Sequence, residues 1–523
     1  MNKVLFGILT LFLFSSTEAL AATYYVGKTS CSDSGPASSL SPACTFSVAL
    51  NKAQPGDTVH IQAGTYLSRL VVNKSGLSNL PITIEGEGKD VTIFDGTGKT
   101  HSEEGLMNIL GKSYIVVKNL TLKNSSFYCA KVEQGSHHVV VQNVKADTCR
   151  HSGFAFTQGS SYVELRDSEV TKAGTCERDN RNCAHEAVTF SNVKYFVITR
   201  NFVHDTWREG IDAKDGAQYG EISYNEVART TQVGLYLNHA KFVRMFKNNV
   251  HHTGTDGIMM GLGDLAENAQ DTSDNQVYQN TIWNTGGAGL YMWKSNSSGP
   301  MQRNKIYNNV FWGNKYEGMM NENLTATQFK DNVFGNNIIA KNGDQGCGLS
   351  SATKASNQFR NNLWWSNGDG SSGPGTENVY SDPLVANAAG GSFVLLSGSP
   401  AIDKGFYVGL PFTGMNPDIG AFEYGSESGD SSVVPPDSRV QDARLPDSSV
   451  IRPDSGTCMC PCACTSTGSV VMPLKAETVT DIPVNTEQEV GCSVGTGKLA
   501  LGVGIGSLAL LAAVLAFMRL RRK

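Results

Sequence analysis

Asparagine recurs at long, regular intervals through the middle of the chain. The series consists of nine asparagines and one aspartate: Asn119, Asn143, Asp167, Asn201, Asn225, Asn249, Asn280, Asn309, Asn337 and Asn362. Four of its steps are 24 residues long, and the others are 34, 31, 29, 28 and 25 residues. A period of this length is typical of a repeat architecture whose units are too short to fold alone. The sequence therefore predicts one stacked object rather than a string of domains.

Each repeat contains short runs in which apolar and polar residues alternate. Residues 114–124 and 242–251 are two examples, both rich in Val, Tyr, Phe or Leu. Alternation with period 2 predicts strands, and no stretch between residues 110 and 370 shows a sustained helical period. Strands separated by Asn, Gly and Ser turns are expected to stack as a parallel solenoid, with Asn side chains bonding along a column. The longer steps predict insertions on selected turns, where binding loops usually lie.

Both ends of this region carry further motifs. Residues 53–66 resemble the first turn of the right-handed parallel β-helix proteins of the pectate-lyase-like group. The usual end of these proteins is similar to three later segments, residues 381–384, 397–403 and 418–424. The resemblance implies an all-β fold, a single-stranded right-handed parallel β-helix over residues 22–424. The group includes lyases, hydrolases, epimerases and non-catalytic adhesins, so the fold alone does not name an activity.

The two ends of the chain predict an exported protein held at a surface. Residues 1–21 form a signal peptide pattern ending in an A-x-A cleavage site. Residues 425–498 repeat a Pro-Asp-Ser theme with few large apolar residues and predict a disordered stalk. Residues 499–518 are free of charge and long enough for a transmembrane helix, and the basic end at 519–523 is expected in the cytoplasm. The same tail resembles bacterial sorting signals that are removed after export.

Composition and cysteine content narrow the class further. The formal net charge is −5 with 17% charged residues, which gives no basic surface for nucleic acid. We expect a monomer. In an exported chain the cysteines predict three local disulfides, Cys31–Cys44, Cys129–Cys149 and Cys176–Cys183, with Cys347 left over.

The repeats align on a Gly-apolar pattern that predicts which residues share a surface. The aligned rows are 153–157, 187–191, 210–214, 234–238, 257–261 and 289–293. Their second and fourth places are apolar and are expected to point inward, so the third and fifth places point outward. The third places are Ala155, Thr189, Asp212, Tyr236, Met259 and Tyr291. The fifth places are Thr157, Ser191, Lys214, Asn238, Gly261 and Trp293.

The residues just before these rows add carboxylates to the same surface. Glu186 and Glu209 take this place in two successive rows, followed later by Asp256 and Glu317. Because neighbouring rungs are about 4.8 Å apart, Glu186, Glu209 and Asp212 are expected to converge as ligands for Ca²⁺. Glu209 lies two residues before the inward-facing Ile211, so in a continuous strand it would also point inward. It faces outward only if a turn lies between the two residues.

This surface suits an acidic polysaccharide. Lys214 beside bound Ca²⁺ would have a depressed pKa and would act as the base of a β-elimination. Asn238 and His239 would orient the substrate. Exposed Tyr236, Tyr291 and Trp293 would stack on sugar rings. An ordinary polar surface without a ligand is the alternative interpretation.

Two lyase families share parts of this pattern. Glu209 and Lys214 are five residues apart, and this pair resembles the metal-binding Glu and base Lys of the alginate lyase and chondroitinase B family. That family has an Arg before a His on the next rung, whereas this chain has Asn238 before His239. Residues 209–212 resemble the calcium motif of family-nine pectate lyases, whose base would fall at Tyr236. The sequence thus favours a calcium-assisted polyuronate lyase, with a non-catalytic adhesin or glycan-binding surface protein as the alternative.

Overall fold

The computed structural model describes residues 21–99, 104–178, 186–263, 271–295 and 299–425. These residues form the all-β, right-handed parallel β-helix that the sequence predicts. Within each stack a strand pairs in parallel with its neighbours one turn before and after it, because each turn repeats the same path. The predicted signal peptide, stalk and C-terminal tail lie outside the described residues, apart from Ala21 and Gly425. Within the described ranges no helix is long and apolar enough to span a bilayer.

Three faces make up each turn. Face 1 contains Thr23–Val26, Thr58–Ile61, Ile82–Gly86, Ser161–Arg166, Lys194–Thr199, Gln218–Ser223, Arg244–Phe246, Gln276–Tyr278, Lys305–Tyr307, Val333–Gly335 and Gln358–Arg360. Face 2 contains Gly64–Tyr66, Thr92–Asp95, Glu169–Ala173, Phe202–Thr206, Glu226–Thr230, Asn249–His251, Thr281–Trp283, Val310–Trp312, Ile338–Ala340 and Leu363–Trp365. Two long strands, Ser113–Ser125 and His137–Cys149, run through both faces and join them into one sheet.

Face 3 is a separate sheet of eleven strands. Its strands are Leu70–Val72, Gly105–Leu110, Tyr128–Glu133, Phe154–Phe156, Val188–Ser191, Ile211–Lys214, Leu235–Asn238, Ile258–Leu262, Leu290–Lys294, Met319–Glu322 and Cys347–Gly348. The remaining elements are short. They are the strands Met301–Gln302, Phe329–Lys330, Val385–Asn387 and Ser392–Leu395, the helices Phe46–Lys52, Thr175–Arg178 and Ser351–Ala355, and the 3₁₀ turn Ala388–Gly390.

The core is a continuous apolar column inside the three faces. Alternation places every second side chain of a strand inward, so Ile211, Leu235, Ile258 and Leu290 stack above one another with no exposed surface. At the N-terminal end, Phe46 and Leu50 of the helix Phe46–Lys52 belong to the same core cluster.

The asparagine column forms, but four of its ten predicted members lie outside it. The buried ladder runs Asn201, Asn225, Asn248, Asn280, Asn309, Asn337 and Asn362, and each side-chain amide donates to the next side-chain oxygen at 2.9–3.0 Å. Asn248 rather than Asn249 is the member on its turn. Asn249 instead accepts a hydrogen bond from the indole of Trp283 on the outside of face 2.

Asn119, Asn143 and Asp167 belong to a neighbouring column. They have φ values of 60°, 49° and 52° and lie in register with Arg200, one position before the buried ladder. Asn and Asp adopt this left-handed conformation more readily than most residues, so the corner selects the same residue types for a different reason. The predicted series therefore joined two adjacent columns.

Two further asparagine ladders occupy the other corners. Asn275, Asn304, Asn332 and Asn357 lie between faces 3 and 1, with amide-to-oxygen distances of 2.8–3.0 Å. Asn314, Asn342 and Asn367 lie between faces 2 and 3, with distances of 2.9 Å. Each ladder satisfies buried backbone groups that the sharp corner leaves without strand partners.

The C-terminal segment covers the outside of face 2 on the last turns. Val310, Ile338 and Leu363 point outward there and are buried by a second core cluster that includes Phe393 and Ile419. The segment that contains the exit motifs therefore covers the outside of face 2 at the end of the β-helix.

Two of the predicted disulfides are present, Cys31–Cys44 and Cys129–Cys149. Cys176 is also disulfide-bonded, while its predicted partner Cys183 lies outside the described residues. Cys347 is a free, buried thiol, as expected.

Candidate active site on face 3

The strand register confirms the predicted alignment of the rows. Thr189, Asp212, Tyr236, Met259 and Tyr291 are direct neighbours on successive strands. In the same way, Ser191, Lys214, Asn238, Gly261 and Trp293 form the neighbouring column. The candidate residues therefore share the outer surface of face 3.

The connections before and after the strands of this region differ in length. The connection 263–275 leaves the face and 174–187 enters it, whereas the connection 239–243 between them is only five residues long. The longer steps therefore correspond in part to these two connections, of which residues 179–185 and 264–270 lie outside the described residues.

Several of these residues are buried rather than exposed. Glu186, Glu209 and Asp212 are 4%, 8% and 1% exposed. Tyr236, which the sequence predicts to be exposed, is 7% exposed, so that prediction is wrong. Its ring is withdrawn because Trp293, two strands further on, reaches across to its hydroxyl. Tyr291 and Trp293 are partly exposed.

Lys214 lies at the centre of the site, in contact with two carboxylates. Its Nζ is 2.6 Å from Glu186 Oε1 and 3.3 Å from Asp212 Oδ2. Thr189 Oγ1 donates to the other oxygen of Glu186 at 2.7 Å. No described hydrogen-bond donor reaches Asp212 Oδ1, although that atom is buried. The result is a buried ion pair beside a carboxyl group that is only half satisfied.

The charges of this centre follow from burial and from the ion pair. Burial favours the neutral form of Lys214, but Glu186 and Asp212 outweigh it and raise the pKa of Lys214. Burial likewise works against the charged Glu186, and the Lys214 ammonium overcomes it and lowers the pKa of Glu186. For Asp212, burial dominates and raises the pKa well above its ordinary value. The two carboxylates therefore favour the ammonium form of Lys214, and the depressed pKa expected beside bound Ca²⁺ stays a prediction.

Glu209 faces a different cation. Arg208 Nε donates to Glu209 Oε2 at 3.3 Å. Burial and repulsion from Glu186 together raise the pKa of Glu209. Glu209 also acts electrostatically on Asp212 and helps to raise its pKa, so the two carboxyl groups lie near each other.

Tyr236 and Trp293 form a joined pair of aromatic side chains. Trp293 Nε1 donates to the Tyr236 hydroxyl at 3.1 Å. Gly261 lies between them in register, and a Cβ atom there would stand 2.4 Å from the Tyr236 hydroxyl oxygen. Glycine at this position therefore gives the indole room to cross.

The other predicted residues have separate partners. Tyr291 donates a short hydrogen bond to Glu322 on the next strand. Asn238 Oδ1 accepts from Gly263 N at 2.9 Å. His239 is 1% exposed, with Nε2 3.1 Å from the Gly263 carbonyl oxygen, so the structure does not bring its ring to the surface beside Lys214.

Comparisons with known proteins agree with this architecture. Residues 24–173 match the family model described as "Pel9A-like, right handed beta helix region", and residues 104–268 match "Right handed beta helix region". Over these two regions the chain is similar to the pectate-lyase-like right-handed β-helix proteins. Residues 265–395 of this β-helix protein also match the family described as "Periplasmic copper-binding protein (NosD)".

Individual relatives are distant. The uncharacterized protein YwoF of Bacillus subtilis (strain 168) is 22% identical over 377 residues, which cover 64% of this chain and 79% of YwoF. The crystal structure of pectate lyase Pel9A has a TM-score of 0.46 at 16% identity, covering 78% of this chain and 97% of Pel9A. A rhamnogalacturonan lyase has a TM-score of 0.45 at 13% identity, covering 56% and 82% of the two chains. None of these similarities assigns an activity to this chain.

The predicted calcium ligands do not form a metal site as they lie in this β-helix protein. Ca²⁺ takes six to eight oxygen ligands, and Lys214 Nζ occupies the position between Glu186 and Asp212. Across the described parts of the chain, no group of three or more His, Cys, Asp or Glu residues is arranged to hold a metal ion.

Sequence reasoning missed several residues that support the centre. Ser191 Oγ donates to Asp215 Oδ2 at 2.8 Å beside Lys214, and Thr189 orients Glu186. The aligned rows place Ser191 and Thr189 on the surface of the site, but the sequence indicates no contact for either side chain. Their places in the columns of Lys214 and Asp212 were the available signal.

Proposed function

We propose that face 3 binds a polysaccharide that contains acidic sugars, with Lys214 contacting a sugar carboxylate. The observation that carries the proposal is the Lys214 ammonium, whose side chain is 18% exposed and is fixed by Glu186 and Asp212. A cation held in place by buried carboxylates loses little conformational freedom when it binds an anion.

The aromatic residues further along the same face support a saccharide ligand. Trp293 and Tyr291 are partly exposed, and each combines an apolar ring with a polar edge. Both lie three strands from Lys214, so one extended chain could contact the ammonium and these rings together.

We further propose that the bound chain is cleaved by β-elimination. In this reaction a base removes the proton from the carbon next to the sugar carboxylate, the bond to the 4-linked oxygen breaks, and a carbon–carbon double bond forms. The leaving oxygen takes up a proton from water, and the proton removed from carbon stays on the base. Lys214 is the proposed base, and it can act only after its own proton has passed to a neighbouring carboxylate. Asp212 is suited to take it, because burial raises its pKa and its Oδ2 lies 3.3 Å from Lys214 Nζ.

Binding without cleavage is the second candidate function. The raised pKa of Lys214, which Glu186 and Asp212 impose against the effect of burial, favours it, because an ammonium recognises a carboxylate but cannot remove a proton. In that case the protein is a glycan-binding surface protein.

Export is part of the proposal. The disulfides Cys31–Cys44 and Cys129–Cys149 are typical of proteins that fold outside the cytoplasm. Anchoring through residues 499–518 also remains a proposal.

The test is to incubate the protein with alginate, pectate and chondroitin, with and without calcium. The ultraviolet absorbance of the unsaturated product reports cleavage, and retention on immobilised glycan reports binding. Three variants separate the roles: Lys214→Arg keeps the charge, Lys214→Ala removes it, and Lys294→Ala changes a lysine of the same face that makes no ion pair with a described residue.

The two candidates predict different results. A lyase with Lys214 as base loses product formation in both Lys214 variants while Lys214→Arg still binds. A binding protein gives no product, and only Lys214→Ala loses affinity. Unchanged binding and cleavage in Lys214→Ala would exclude both functions for this centre.

A further inference from the structure

The three carboxylates predicted to hold calcium already have positively charged partners. Lys214 Nζ contacts Glu186 Oε1 at 2.6 Å and Asp212 Oδ2 at 3.3 Å, and Arg208 Nε contacts Glu209 Oε2 at 3.3 Å. An ammonium group and a Ca²⁺ ion that use the same oxygens exclude each other, because both cannot occupy the gap between two carboxylates.

The surroundings hold the ammonium in that gap. Glu186 is 4% exposed and is fixed by Thr189, and Asp212 is 1% exposed on the same strand as Lys214. Removing Lys214 would leave two buried carboxylates without a cation, which is costly unless another cation enters. The unpartnered Asp212 Oδ1 would then be a further oxygen available to it.

We propose that the Lys214 ammonium supplies at this centre the positive charge that a calcium ion supplies in a carboxylate site, so that a sugar carboxylate is held without a divalent cation. This inference rests on the proposed binding of acidic saccharide at face 3. It assigns Lys214 to the recognition of charge and makes Glu186 and Asp212 positioning residues for its ammonium.

Two expectations follow for the full-length protein. The wild type does not bind Ca²⁺ at this centre, and EDTA leaves glycan binding within about twofold of its original affinity. The variant Lys214→Met gains a Ca²⁺ site, because its carboxylates have lost their ammonium, with affinity at least about tenfold above the wild type.

Isothermal titration calorimetry with calcium chloride tests this directly. Comparison of Lys214→Met with the double variant Lys214→Met/Glu186→Gln identifies the site, since the gained binding must disappear in the double variant. Lys294→Met is the matched control and gains nothing. Circular dichroism and thermal melting confirm that each variant is folded, and Lys214→Gln replaces Lys214→Met if the latter does not fold.

Two results would overturn the inference. One is Ca²⁺ binding by the wild type that is lost in Asp212→Asn or Glu186→Gln. The other is no gain of binding in a folded Lys214→Met or Lys214→Gln protein.

The glycan measurement is a separate arm. Loss of glycan binding in EDTA and its recovery in calcium would also contradict the inference. Absence of glycan binding under every condition would instead remove the proposed function, and the calorimetry would still decide which cation the carboxylates hold.

Discussion

Trp293 Nε1 donates a hydrogen bond to the Tyr236 hydroxyl over 3.1 Å, and Gly261 on the intervening strand lies beneath the crossing. The sequence predicts these two residues to be separate exposed rings that stack on sugars, whereas the structure joins them. Tyr236 is therefore buried beneath the indole, and Trp293 is the more exposed ring of the pair.

Replacing Gly261 with Ala should separate this pair. The added Cβ would lie 2.4 Å from the Tyr236 hydroxyl oxygen and 2.7 Å from Trp293 Nε1, so at least one ring must move. We expect a stability loss of about 1–3 kcal/mol, measured by chemical denaturation, together with weaker glycan binding. Gly88→Ala is the control, because its Cβ would make only an ordinary contact with Val91 at 3.4 Å. Equal effects in the two variants would contradict the role of the crossing.

The adjacent residues Asn248 and Asn249 should differ sharply when each is changed to Ala. Asn248 is 1% exposed and bonds to Asn225, Asn280 and the Ile222 carbonyl. Its loss leaves buried partners unsatisfied and should lower the free energy of unfolding by about 2–4 kcal/mol. Asn249 lies outside the ladder, so Asn249→Ala should cost clearly less in the same urea titration. A larger loss of stability in Asn249→Ala than in Asn248→Ala would instead support the column predicted from the sequence, in which Asn249 is the member on this turn.

Asp256 should make stability depend on pH. Burial raises its pKa from the ordinary value of 3.8 to about 6 in the folded protein. Its contribution is therefore complete below about pH 4 and is lost as the pH rises through about 6. Asp256→Asn keeps the oxygen that accepts from Ala288 N and should melt at a higher temperature than the wild type at pH 7, with the difference closing near pH 4.

Asp205 supplies a control of opposite sign. The hydrogen bond from Arg229 lowers the pKa of Asp205, so its contribution is present above its ordinary pKa and is lost in acid. Asp205→Asn should therefore melt at a lower temperature than the wild type at pH 7. A shift in the same direction for both variants would contradict the assigned causes.

The cover on face 2 should contribute strongly to stability. Phe393 is 1% exposed and belongs to the cluster that buries Val310, Ile338 and Leu363. Phe393→Ala should lower the free energy of unfolding by about 3–5 kcal/mol and increase binding of a hydrophobic dye. Phe412→Ala, at an exposed residue of the same C-terminal segment, is the control and should change little. A stable Phe393→Ala protein without dye binding would mean that the segment covers the face only loosely.

The strands and the alignment of residues on face 3 could be predicted from the sequence. Period-2 alternation and the Gly-apolar pattern placed Asp212 beside Tyr236 and Lys214 beside Asn238, as the register confirms. Both patterns are local, and burial of one strand face is enough to impose them.

Other features depended on contacts that alternation does not encode. Asn248 and Asn249 have the same side chain, and only the path of the corner decides which one points inward. The burial of Tyr236 depends on a side chain 57 residues away. The pKa of Lys214 depends on Glu186, which belongs to the preceding turn and binds it more closely than Asp212 does.

The three asparagine ladders also determine how such a chain can change its length. Adding or removing one whole turn would restore every amide-to-oxygen contact with a new neighbour, whatever the number of residues in its loops. Adding a single residue within a corner would shift one amide out of its column and interrupt the ladder at that turn. The steps of 23 to 32 residues between successive ladder members show how much loop length varies while the columns stay intact. A gene for this fold can therefore lengthen by duplicating a turn, and it can acquire new loops without rebuilding its core.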